Sequence, residues 1–457
     1  MIRSKMGIES FLGKLKTREI NRIKIGMSDI DGIVRGKVLH GEKAYKLLQS
    51  STNTFAFCSV VFGWDIQDKS YMNTKSIGLH TGYPDLEVQL DLKTLRFIPW
   101  DDNTPFFLGN LSLNNPDKLG ELCPRNALIK VIKKSTDLGY YPYFGQEFEW
   151  FNFDQTPQGL ADSQYNPPTP ISPGMFGYSL MRSTHKKDFF NQLFCDMDAF
   201  DVPLEGLHTE TGPGVYEAAI TYSDILSAAD RAILFKMGAK EIGIFHKIMP
   251  SFMAKWNSQL PGCSGHIHQS LWDKEKTRNY FLDEKLKSHY LAGMLMGLKE
   301  FLPFFAPTIN SYKRFVRGTW APTKANWGYD NRTVAIRDLT KGINANAAAR
   351  LEFRIPGSDV NPYVAMAANL ALGIYGIENE LSLKNDPVVG NGYLDMQGED
   401  LPSTLPLALE KLEQSQLARD LLGDTFVEHF IQTRKWEIEQ FNSAITNWEF
   451  ERYFEGV

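Results

Sequence analysis

Residues 140–153 are YYPYFGQEFEWFNF. The pattern is that of a β-strand, on which Glu147 and Glu149, two residues apart, point to one face. Two carboxylates side by side, flanked by Phe148 and Trp150, repel each other unless a cation lies between them. Three further stretches carry charge on strand-like runs. HTETGPGVYEAAI (208–220) brackets a Thr-Gly-Pro-Gly turn with Glu210 and Glu217. CSGHIHQSLW (263–272) puts His266, His268 and Ser270 on one strand face, and ARLEFRIPG (349–357) puts Glu352 and Arg354 together on another.

Taken singly, each has an ordinary explanation: a solvated edge face, polar packing, a surface ion pair. Taken together, five carboxylates and an imidazole form the hard oxygen and nitrogen donor set that Mg²⁺ or Mn²⁺ prefers, without a thiolate nearby. Two such ions bridging nucleotide phosphates would explain the crowding of charge. No P-loop is present, since Gly32, Gly36 and Lys37 fall one residue short of that spacing and Lys37 is not followed by Ser or Thr. Metals and arginines would then hold the phosphates. The available arginines are Arg314 and Arg317, Arg332 and Arg337, and Arg350 and Arg354, whose guanidinium forks suit carboxylate and phosphate. Arg332 and Arg337 are five apart, so a turn must intervene if both serve one site.

The 457 residues exceed what one core usually accommodates, so two domains are expected. A net charge of −5 gives no basic field for nucleic acid. Cys58, Cys123, Cys195 and Cys263 form no CxxC pair and read as reduced thiols. The first residues, MIRSKMGIESFLGKLK, lack the uninterrupted apolar core of a secretory signal, and the most apolar long stretch, Tyr363 to Ile377, is too short to span a bilayer. A cytoplasmic protein is expected. Residues 5–17 read as a short amphipathic helix. The runs RIKIGMSD, IVRGKVL, FAFCSVVFGWD, LEVQLDL and TLRFIPW suggest a small β-rich domain ending near residue 117. Beyond Pro124, long helical patterns over Ser223–Lys247 and Asn361–Leu381, with Ser223 and Asn361 as N-caps, alternate with the charged strands. The charged helical segments at the C-terminus read as peripheral.

FGQEFEWF resembles the G-x-E-x-E-F motif of glutamine synthetases, and PGCSGHIHQSLW resembles their N-G-S-G-x-H-x-H-Q-S-L stretch. NSYKRFVRG, the N-R-x-x-x-x-R run and RLEFRIPGSDVNPY follow in the same order. The resemblance runs from about Met27 to Ala368 and implies an α+β fold. An N-terminal β-grasp domain would occupy 18–117, and a catalytic domain with a curved antiparallel sheet flanked by helices would occupy 118–457. It implies homo-oligomers of stacked rings, dodecamers or decamers, with active sites between neighbouring subunits. It implies one metal on Glu149, Glu210 and Glu217 and another on Glu147, His266 and Glu352. Arg314 and Arg354 would grip a substrate α-carboxylate near the Gly262 backbone. Arg332, Arg337 and Arg350 would meet ATP phosphates, Arg332 catalytically, and His268 and Ser270 would line the nucleotide pocket. Asp29 would help deprotonate the incoming ammonium across the interface. The implied chemistry is an acyl phosphate formed from ATP and then displaced by an amine.

Three positions depart from the family pattern. Six residues after Arg314, where glutamine synthetases carry a flap glutamate, this chain has Trp320. An indole removes an ammonium ligand and adds apolar surface, which suits an amine bearing carbon. Pro261 replaces the asparagine that opens N-G-S-G, and Val215 stands where Gln is usual. VVFGWDI, TWAP and WGYDNR resemble the γ-glutamylpolyamine and γ-glutamylamide synthetase branch. The expectation is therefore an ATP-dependent ligase making a γ-glutamyl amide from glutamate and a polyamine or alkylamine. The alternatives are a glutamine synthetase using ammonia, or a catalytically inert structural homologue.

Overall fold

The computed structural model describes residues 7–341 and 348–457. The amphipathic helix expected over 5–17 runs Ile8–Lys16 and buries Phe11 and Leu15; the first two expected positions lie outside the described residues. Six strands follow: β1 (Arg22–Ser28), β2 (Val34–His40), β3 (Thr54–Cys58), β4 (Asp85–Leu90), β5 (Arg96–Ile98) and β6 (Thr104–Leu111). They form one sheet in the order β2-β1-β6-β4-β3, with β5 on β6 and a parallel β1–β6 pair at its centre. Phe11, Ile23, Ile25, Leu47 and Phe107 make a core between this sheet and the helices Ile8–Lys16 and Gly41–Gln49. The run FAFCSVVFGWD is not one strand, because β3 ends at Cys58 and Ser59–Phe62 turns into a short 3₁₀-helix.

The second sheet contains β7 (Tyr141–Phe153), β8 (Leu204–Thr209), β9 (Val215–Ile220), β10 (Ser223–Asp224), β11 (Met249–Ser251) and β12 (Gly265–Trp272). After β13 (Lys324–Ala325), which pairs only with β17 (Glu399–Asp400), it continues with β14 (Trp327–Tyr329), β15 (Ile336–Asp338) and β16 (Leu351–Phe353). The order is β14-β15-β16-β12-β7-β9-β8, with β10 and β11 also on β7. All its pairs are antiparallel except β14–β15. The long strand β7 is its spine. One face of β7 presents Phe148 and Trp150 to Phe235 of the helix Ile225–Phe245, with ring centroids 6.2 and 5.4 Å apart. Alternation then forces Glu147 and Glu149 onto the opposite face.

The helix expected to start at Ser223 is capped one residue later, by the Asp224 carboxylate accepting from the Ser227 N–H, because Ser223 is held in β10 against Phe144. Asn361 caps the helix Pro362–Glu378 as expected, and its amide also donates to the carbonyls of Asp29 and Ile30. The helices Glu284–Phe305 and Pro362–Glu378 meet where Gly293 lies against Gly376. A Cβ on either glycine would collide with the partner's backbone, so the pair sets the approach of the two helices. The C-terminal helices are not all peripheral. Asp424–Ser443 buries Phe426, Phe430 and Ile431, and its Arg434 is paired with Asp31 of the β1–β2 turn. Asn447–Tyr453 buries none of its residues. No helix among the described residues is long and apolar enough to cross a membrane.

Candidate active site

Cross-strand register assembles the charged residues into rows. His208 of β8 lies opposite Glu217 of β9, and Glu217 lies opposite Glu149 of β7. Glu147 of β7 lies opposite His266 of β12. His268 of β12 lies opposite Glu352 of β16, which lies opposite Arg337 of β15. Side chains one pair apart across a sheet are within contact range, so the strands alone bring these groups together.

The contacts follow the rows. His266 Nδ1 is 3.0 Å from Glu147 and 3.6 Å from Glu352, and His268 Nε2 is 3.4 Å from Glu147. His208 Nε2 is 3.3 Å from both Glu210 and Glu217. The Ser264 N–H donates to Glu149 at 2.5 Å. Three sets of donor atoms each lie within 4.8 Å of one another: Glu147, Glu217 and His266; Glu147, His268 and Glu352; His208, Glu210 and Glu217.

The electrostatics record the crowding. Burial, and then the charges of Glu147, Glu149, Glu210 and Glu352, push the Glu217 carboxyl up to about 10. Burial likewise raises Glu149. Burial also works to raise Glu147, but hydrogen bonds with His266 and His268 take it well below the carboxylate range. Against its own burial, Glu352 is brought down to about 2, first by the charge of Arg354. Glu210 is lowered against its burial by the hydrogen bond with His208. Acids packed together out of water, with Glu217 raised by its burial and by its neighbours' charges, are short of positive charge. His266 Nε2 is buried with no hydrogen-bond partner among the described residues. Crowded acids and a spare imidazole nitrogen fit a divalent cation. The neighbouring Cys263 does not soften the donor set: burial and the Glu149 charge hold its sulfur as a thiol.

Two cavities share this cluster. One, of about 560 Å³, is lined by Glu149, Glu210, Glu217, Gly262, Trp320 and Arg354 among others. The second, of about 410 Å³, is lined by Tyr143, Tyr222, Ser270 and Trp272. Glu147, His268 and Arg350 border both. Arg332 and Arg337 both reach the first cavity because the loop between β14 and β15 turns the chain, as their spacing requires. Arg337 donates to Glu352 at 2.8 Å and Arg350 Nε to His268 Nδ1 at 3.0 Å, so these guanidiniums are already oriented.

Two expected site residues stand elsewhere. Arg314 is fully buried behind Gly262, with its guanidinium on the Ile355 carbonyl and, at 3.2 Å, on Ser264 Oγ. It braces the wall of the first cavity and does not line it, so of the expected α-carboxylate pair only Arg354 is at the surface. Asp29 lies in the β1–β2 turn. Its carboxylate accepts from the N–H groups of Asp31 and Ile33 and from Arg35, at 2.8–3.0 Å. Burial and the charge of Asp31 push it up to about 7, a value that suits a base, and its Oδ2 accepts only from Arg35. Conversely, His208 was not anticipated, although it stands two residues before Glu210 and period two puts both on one face. Tyr178, whose ring stacks on His208 at 4.5 Å, comes from a loop whose local sequence gives no such signal.

Comparison with known proteins agrees with this geometry. The glutamine synthetase catalytic domain model matches residues 121–453. Type-1 glutamine synthetase 2 of Dictyostelium discoideum is 49% identical over 98% of this chain and 86% of its own length. Glutamate–isopropylamine ligase of Pseudomonas sp is 37% identical over 97% of each chain. A solved GmaS/ADP complex has the same fold, with a TM-score of 0.82 over 97% of this chain and 99% of that one at 22% identity. Strand-borne acids, paired cavities and these likenesses together show that the chain belongs to the glutamine synthetase family.

Proposed function

We propose that this chain is an ATP-dependent ligase that joins the γ-carboxylate of glutamate to an amine bearing carbon, a polyamine or an alkylamine, through an acyl phosphate. The observation that carries the amine half is Trp320, an indole on the wall of the acid-lined cavity, 54% exposed and free to cover an alkyl group. The isopropylamine ligase supports this reading. The name of the Dictyostelium relative favours the second reading, in which ammonia is the nitrogen donor. The third, an inert homologue, has no reason to hold acids so close that one of them is driven to about 10.

The roles proposed are these. Glu149, Glu210 and Glu217, with His208, would hold one cation, and Glu147, His266 and Glu352 another, Mg²⁺ or Mn²⁺. Bound there, such ions supply positive charge for the phosphoryl group in transfer. Arg332, Arg337 and Arg350 stabilise the same charge from the protein side. His268 and Ser270 line the nucleotide cavity, with Tyr143, Tyr222 and Trp272 offering aromatic surface to a base. Arg354 and the Gly262 backbone orient the acid. Asp29, from across the subunit interface, would help take the proton from the amine. The reading includes a division at residues 117/118, rings of subunits that complete each site, and a cytoplasmic enzyme of nitrogen or polyamine metabolism.

The test is ADP release with glutamate across a panel of amines. Alkylamines or polyamines should exceed ammonium, and Trp320→Glu should move the ratio toward ammonium by about tenfold. Ammonium as the clear winner for the native chain sinks the proposed amine class. In the same assay, Glu147→Ala and Glu217→Ala should each lower ATP turnover at least about a hundredfold while the oligomer stays assembled. Retained turnover at saturating Mg²⁺ would show that these acids are not the ligands.

A further inference from the structure

A third cavity, of about 500 Å³, lies on the other side of β7 from the acids. It is bounded by the β1–β2 turn, the helix Ile225–Phe245 and the segment Met249–Met253, and most of its wall is apolar, with Ile33, Ile233, Phe252 and Phe430 prominent. Lys236 and Lys240 enter it from the same face of that helix, four residues apart. Lys236 is buried and Lys240 stands exposed at the mouth.

The charges around them are nearly all committed. Asp31 is paired with Arg434, and Glu241 accepts from Trp100 Nε1 at 2.6 Å. Asp359 Oδ2 accepts from Thr308 and Ser311, while its buried Oδ1 has no hydrogen-bond partner among the described residues. Lys236 Nζ donates to the carbonyls of Ser358 and Val360, at 2.9 and 3.1 Å, which leaves one of its three N–H groups over. Among the carboxylates of the wall, Asp359 is the one whose charge acts on Lys236, opposing the lowering of its ammonium. Two like charges one turn apart, facing apolar surface, are costly to hold. Burial, and then the charge of Lys240, lowers the Lys236 ammonium to about 7.

We infer that this cavity is a second ligand site, for a small organic carboxylate carried on an apolar body, with its carboxylate on Lys236 and Lys240 and its body against Phe252 and Ile233. Aliphatic oxoacids and apolar amino acids share that chemistry. The site lies beside the spine of the active sheet, since Lys236 Nζ is 5.5 Å from the ring of Phe148, which separates Glu147 from Glu149. Occupancy would therefore bear on the acids from behind.

Calorimetric titration of the full chain, saturated with Mg²⁺-ATP and glutamate, with 4-methyl-2-oxopentanoate tests it. Saturable binding at one per chain is expected, with affinity falling about tenfold or more in Lys236→Met and severalfold in Lys240→Gln. 4-Methyl-2-pentanone, which lacks the carboxylate and carries no amine, should not bind in competition. Displacement of the oxoacid by leucine would support an amino acid as the occupant, and failure of leucine to displace it would support an oxoacid. No saturable binding of either, or binding unchanged in Lys240→Gln, whose exposed side chain leaves the fold intact, overturns the inference.

Discussion

Asp29 and Arg314 are both residues whose neighbours changed their meaning. Each is charged and belongs to a stretch resembling the family's active-site segments, yet each bonds within its own chain, Asp29 to two backbone N–H groups and Arg35, Arg314 to the Ile355 carbonyl and Ser264 Oγ. A carboxylate buried with two N–H donors and a guanidinium stabilises the turn it closes. Asp29→Asn should therefore cost about 1–3 kcal/mol in denaturant unfolding, and a displaced pH profile of kcat beside that loss supports its part in deprotonating the amine. Unchanged stability would show that the turn does not depend on this carboxylate. Residue identity was legible in the sequence for the acids of the cluster because period-two spacing fixes the face of a strand. It was not legible for Arg314, because nothing in NSYKRFVRG says that Gly262 will lie between that arginine and the cavity.

At the scale of elements, the strands were readable where they alternate and hidden where they do not. In β6, TPFFLGNL, every residue except Asn110 is buried, so a strand at the centre of the first sheet carries no alternation to detect. The helix Pro362–Glu378 announced itself through Asn361 and Pro362, a cap and a first-turn proline whose effects are local. Its contact with Glu284–Phe305 could not be foreseen, because Gly293 and Gly376 are far apart in the chain and become informative only once opposed. Intrinsic propensity favours Ala over Gly in a helix by about 1 kcal/mol. Gly376→Ala should nonetheless destabilise the protein by about 1–3 kcal/mol, since the added methyl meets the His289 carbonyl and the backbone of Gly293. A raised midpoint in thermal unfolding would show that the two helices can part at little cost.

Across the whole molecule, the C-terminal helix Asp424–Ser443 ties the first sheet to the second. Its buried His429 packs edge-on to Tyr71 at 6.5 Å, and Arg434 reaches Asp31. Burial, and then the charge of Arg434, lowers His429 to about 4, with Asp31 opposing. The unfolded chain, with an ordinary imidazole near 6.5, then binds more protons than the folded one between those values, so stability falls as pH drops through that window. The loss attributable to this residue at pH 5 should be about 2 kcal/mol, and His429→Gln should flatten the pH dependence of the denaturant midpoint between pH 7 and 5. An equally steep dependence in the variant would assign the effect to other groups.

The rows across the second sheet also fix when the site can come into being. Glu147 and His266 are 119 residues apart, and Glu352 arrives from a strand later still. The β8–β9 hairpin brings His208, Glu210 and Glu217 together locally, but the set of Glu147, His266 and Glu352 has nothing for a cation to grip until the long-range pairings have closed. Cation binding thus acts as a latch on a finished sheet: it slows escape from the native state and does little to hasten arrival there.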